Sequence, residues 1–143
     1  MNPTTRFVMA TGLLLAAMSG NLLGADKIVD VGKGEYNAAC ASCHGLQGLG
    51  DGPAAEQIKA TVPDITLLAK GNSGIFPFDR VYQIIDGRQE IKSHGSREMP
   101  IWGTAFRRQS SLYFDSYPVI DPESSARGRI LALTEYVYRL QRK

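Results

Sequence analysis

The stretch CASCHG, residues 40 to 45, holds both cysteines of the 143-residue chain, three positions apart, with a histidine directly after the second. Several chemistries use such a pair. A disulfide between Cys40 and Cys43 is conceivable in an exported protein. A thioredoxin-type dithiol follows a strand and opens a helix, whose positive end lowers a thiol pKa. Here the pair falls near the end of a predicted helix, where that electrostatic help is missing. A zinc site needs four donors, and downstream of residue 25 Cys40, Cys43, His44 and His94 supply them by number. Adjacent Cys43 and His44 are an awkward pair of ligands for one ion.

Covalent haem attachment uses every residue of the motif. Cysteines at i and i+3 share one helical face and can form thioethers to the two vinyl groups of a haem. His44, fixed beside Cys43, then reaches the iron. CxxCH is a specific signal for this chemistry.

The N-terminus points to export. Arg6 gives a short positive region, Phe7 to Met18 (FVMATGLLLAAM) an apolar one, and small residues follow at Ser19, Gly20, Gly24 and Ala25. The expected division is a cleavable signal peptide over 1–25 and one domain over 26–143. The apolar run is shorter than the roughly 18 to 20 residues that span a bilayer, and nothing later is apolar enough to do so. Of the 16 basic residues only Arg6 lies in that leader, and none of the 14 acidic ones does, so the remaining charge is near zero. That balance argues against nucleic acid as a partner. Two cysteines are too few for a disulfide scaffold.

The rest reads as all-α. A helix is expected over Ile28–Cys43, ended by Gly45. The glycine-rich GLQGLGDG (45–52) lacks the GK[ST] of a phosphate loop and reads as a flexible connector. Short helical turns are expected around Pro53–Ala60 and after Asp64. In FDRVYQIID (78–86), Phe78, Val81, Tyr82 and Ile85 follow i, i+3, i+4, i+7 spacing, with Gly87 as the stop. Residues 88–122 read as mostly irregular. Glu123–Gln141 is the clearest helix, with Ile130, Leu133, Val137 and Leu140 on one stripe.

Taken together, GKGEYNAACASCHG (32–45), PDIT (63–66), REMPIWG (97–103) and the final helix resemble the class I c-type cytochromes. The resemblance implies an all-α cytochrome c fold of roughly three to five helices around one covalently attached haem c. It also implies that Gly32 and Tyr36 lie where the first helix crosses the last, with Tyr136 as partner. A distal iron ligand is needed downstream, usually methionine. Met99 is the one methionine outside the leader, and Pro100 restricts it to extended backbone. His94 is the rival ligand. The family pattern places a proline carbonyl against the ligating histidine, which makes Pro63 the candidate and Pro53 the alternative. Arg88, Arg97 and Trp102 are candidate donors to the haem carboxylates.

With both axial positions of the iron filled, the chemistry implied is electron transfer rather than catalysis. The leading expectation is a periplasmic one-electron carrier serving unidentified redox proteins. The alternative is a haem relay subunit of a periplasmic oxidoreductase complex. A gas sensor or peroxidase in which Met99 dissociates is a third class. The stretch from Gly103 to Ser125 departs from the smallest family members and is expected to be a longer loop folded over the haem edge, or a docking surface carrying Arg107 and Arg108.

Overall fold

The computed structural model describes residues 29–58, 61–89, 99–114 and 121–142. The expected leader (1–25), His94 and Arg97 lie outside them. Among the described residues, five α-helices follow in order: α1 (Val31–Ala39), α2 (Ala41–His44), α3 (Phe78–Asp86), α4 (Trp102–Phe114) and α5 (Pro122–Arg139). Three short 3₁₀ turns, Ala55–Gln57, Ile65–Leu67 and Lys70–Asn72, fill the connection between α2 and α3. There is no strand among the described residues, so the all-α expectation holds.

The helix starts have local causes. Asp30 caps α1 by accepting from the Lys33 N–H, and Asp121 caps α5 by accepting from the N–H groups of Glu123 and Ser124, with Pro122 in the first turn. Asp64 does the same for the Ile65–Leu67 turn through Thr66. Gly87 closes α3 in the left-handed conformation, φ 84°.

The core is built where α1 and α5 cross. A Cβ on Gly32 would sit 2.2 Å from the Ala132 carbonyl oxygen, so only glycine allows the two backbones this close. One turn later, the rings of Tyr36 and Tyr136 pack with centroids 5.1 Å apart. Around them Ala126, Ile130, Leu133 and Val137 of α5, Val81 and Ile85 of α3, and Phe106 of α4 are buried. Arg129 clamps the outer side of the crossing, with Nε and Nη2 2.7 and 2.8 Å from the two Glu35 carboxylate oxygens. Its guanidinium also lies over the Phe106 ring, 3.8 Å from the centroid. The C-terminal residues tie the chain's middle to α5: Gln141 accepts from the Ala69 N–H and donates to the Ile65 carbonyl, and Arg142 pairs with Asp64 at 2.6 Å.

Three expectations need correction. Inside the span expected to be irregular (88–122) and to form a long loop (103–122), Trp102–Phe114 is instead a helix packed on α5. The helix expected over Ile28–Cys43 breaks at Cys40, whose φ of −115° separates α1 from α2. Around Pro53–Ala60 the described structure is the single 3₁₀ turn of Ala55–Gln57.

Candidate haem site

The CASCHG stretch straddles the break between α1 and α2. The Cys40 carbonyl accepts from both the Cys43 and His44 N–H groups, at 3.1 and 2.9 Å, which winds the segment into one compact turn. Gly45 ends it, and the Tyr36 hydroxyl donates to the Gly45 carbonyl at 2.7 Å. The motif is therefore pinned from beneath by the residue that forms the α1–α5 crossing. Burial raises the Tyr36 phenol far above its ordinary pKa, so this donor stays protonated.

The glycine-rich segment after the motif is a fitted part, not a loose connector. The Gly50 N–H donates to the His44 carbonyl at 2.9 Å, Gly52 to Cys43 at 3.1 Å, and Ala54 to Ser42 at 2.8 Å. The Ile65 N–H donates to the Gly48 carbonyl at 2.8 Å, tying the PDIT turn to this segment. Pro63 belongs to the same assembly: its carbonyl oxygen would stand 3.2 Å from a Cβ on Gly50.

The thiols behave as apolar groups. Both cysteines are half-buried and unbridged. Burial, then the neighbouring Glu35 and Cys43, pushes the Cys40 thiol up to about 12. That is opposite to the depressed value of a dithiol catalyst. Among the described residues, no three His, Cys, Asp or Glu side chains converge as a metal site.

Met99 reaches the same core from the segment just before α4. Cys40, Met99 and Trp102 are partly buried against it, together with Ile65, Leu68, Phe76, Tyr82 and Leu140. Two thiols and an imidazole on one turn, set against an apolar core, are the groups that a covalently held haem requires. The residues present fit the group.

The carboxylate-donor candidates are placed unevenly. Trp102 packs beside Phe106 with centroids 5.8 Å apart, next to Met99 in the chain. Arg88 is exposed, and its guanidinium pairs with Asp86. Arg107, considered as a docking charge, pairs with Asp86 at 3.2 Å and with Glu123 at 3.4 Å. Asp86 was missed in the sequence. Its partners stand two and 21 positions away, and no local pattern announces them.

The arrangement defines a small helical protein with a cysteine-pair and histidine motif set against an apolar core. Comparison with known protein families matches residues 29–105 to the cytochrome c family. The chain belongs to that family, whose members carry covalently attached haem and exchange electrons with redox partners. No curated protein and no solved structure matches. No helix among the described residues is long and apolar enough to cross a membrane.

Proposed function

We propose that the protein is an exported, periplasmic one-electron carrier with a single haem c, held through Cys40 and Cys43 and ligated by His44 and Met99. The observation that carries this reading is the convergence of Cys40 and Met99, 59 positions apart in the sequence, on one apolar cluster. When bound, haem supplies an iron centre that cycles between two oxidation states.

The chain's own residues do the rest. Cys40 and Cys43 fix the group covalently, from a turn locked by backbone hydrogen bonds and by Tyr36. His44 supplies an imidazole nitrogen, with Pro63 the candidate for orienting it. Met99 would supply a soft sulfur donor, of the kind that raises the reduction potential of a haem it ligates. The apolar side chains around Met99 keep water away and so disfavour the more charged oxidised state. Arg88 and Trp102 remain candidates for the haem carboxylates, Arg88 in competition with Asp86. Arg97 is proposed for the same role from the sequence alone.

The test is production in a host that attaches haem. Haem that stays with the protein in acidified acetone, and is lost from Cys40→Ala together with Cys43→Ala, supports the attachment; a reversible one-electron titration supports the carrier role. Haem that washes out of the wild type sinks the proposal. Copurification of a second polypeptide at high salt would point instead to the relay subunit.

A further inference from the structure

The segment carrying Met99 is short and enters α4 almost at once. Met99 is followed by Pro100, Ile101 and then Trp102, the first residue of α4. What fixes the start of α4 therefore fixes the thioether. The residue before that start, Ile101, has no side-chain oxygen with which to cap it. The start rests on the last residue of α3, Asp86, whose side chain is only 2 % exposed.

The contact is close and made by charge. A Cβ on Gly103 would lie 2.0 Å from the Asp86 Oδ1 and 2.7 Å from its backbone oxygen, so glycine is required for α4 to reach the carboxylate. An anion at the first turn of a helix is favoured by the N–H groups exposed there. Two guanidiniums complete its surroundings: Arg88 pairs with Oδ2, and Arg107, one turn further along α4, lies 3.2 Å from Oδ1. Arg107 also reaches Glu123 on α5 at 3.4 Å. Beside this cluster, a Cβ on Gly87 would meet the Ile101 side chain at 2.3 Å, which packs the residue two positions after Met99 on the α3 terminus. Removing the buried carboxylate leaves Arg88 and Arg107, among the described residues, only Glu123, at 3.8 and 3.4 Å, as an anionic partner, and hydrogen bonds to charged groups are the strong ones.

We infer that Asp86 is the positioning residue for the distal ligand: it anchors the first turn of α4 and thereby holds the Met99 sulfur at the iron. This rests on the assignment of Met99 as the iron ligand. Asp86 touches neither haem nor sulfur; it acts through α4. Replacing the carboxylate by a carboxamide keeps the volume and removes the buried charge that draws both arginines to the start of α4. The Met99 arm then loosens, and an added ligand displaces the sulfur more readily.

The experiment is imidazole titration of the oxidised holoprotein, read by the weak red absorption band that marks sulfur ligation. Asp86→Asn is expected to bind imidazole about tenfold more tightly, with the red band diminished, while haem retention in acidified acetone and helical circular dichroism stay unchanged. Asp30→Asn, which breaks an exposed ion pair with Arg139 at the far side of the molecule, is the comparator and keeps wild-type affinity. An Asp86→Asn protein with wild-type band and affinity overturns the inference, as does an equal rise in Asp30→Asn. Should Asp86→Asn not fold, Arg107→Gln keeps the Asp86–Arg88 pair and is expected to shift affinity the same way by less, with partial recovery in Arg107→Lys. Wild-type affinity in Arg107→Gln would likewise overturn it. A wild-type protein without the red band removes the Met99 assignment itself, a result separate from any of these.

Discussion

The α1–α5 crossing and the α3–α4 elbow are built on different physics, although each would present one side of the haem. The crossing beneath CASCHG relies on two backbones in contact at Gly32 and on two tyrosine rings packed at a tilt. Its centre is held by area and shape, which neither salt nor pH alters much, with the Arg129–Glu35 pair only at its outer side. The elbow beneath Met99 relies on a buried carboxylate between two arginines. Such clusters are costly to desolvate and gain little net stability, but removing one partner is severe. The attachment side is therefore expected to tolerate changes of solution and to fail on changes of volume. The distal side is expected to do the reverse.

The largest effect should come from filling the crossing. Gly32→Val forces three further carbons towards the Ala132 carbonyl and is expected to cost about 3 kcal/mol or more in guanidinium denaturation of the holoprotein. Its red band should persist until the protein unfolds, because the elbow is untouched. Gly103→Ala is the matching change at the elbow. Overlap with Asp86 costs about 1 to 3 kcal/mol, and alanine's better helix propensity returns up to about 1, so the net loss should be smaller. Yet it, not Gly32→Val, should raise imidazole affinity. If the two variants change the spectrum alike, the two regions are not mechanically separate.

The smallest effect concerns acid. The Arg139 guanidinium, then the Lys33 N–H, holds the Asp30 carboxyl down to about 2, below its ordinary value of about 4. A depressed folded pKa gives stability that is present above the ordinary value and lost as pH falls towards the folded one. Asp30→Asn should flatten the pH dependence of unfolding between about 4 and 2 and leave neutral pH almost unchanged. Because this pair is exposed, the change should be slight and should shrink further in high salt.

What could be read in the sequence follows the same division. Apolar periodicity reveals α3 to the residue, since Val81 and Ile85 are buried and Gly87 stops the helix. It also reveals α5, and the family resemblance supplies Gly32, Tyr36 and Tyr136. Helix α4 escaped because its inward stripe is only partly apolar. Phe106 is buried, but one turn on the buried position is Ser110, whose hydroxyl donates to Ser125 of α5 at 2.9 Å. A serine at a core position satisfied by a partner on another helix carries no hydrophobic signal. Asp86 escaped for a related reason: a carboxylate at a helix end normally reads as solvated surface. CASCHG was legible as chemistry, whereas the break at Cys40 and the closely packed glycine segment behind it depend on long-range contacts. His94, Arg97 and the leader over 1–25 lie outside the described residues and stay as sequence readings.

The central claim is that one imidazole and one thioether hold the iron from opposite sides, and the most direct measurement is the absorption spectrum of the oxidised protein beside Met99→Ala. The account predicts the weak red band in the wild type and in His94→Ala, and its loss in Met99→Ala with haem still attached. A wild-type spectrum without that band, unchanged by Met99→Ala and altered by His94→Ala, would contradict it.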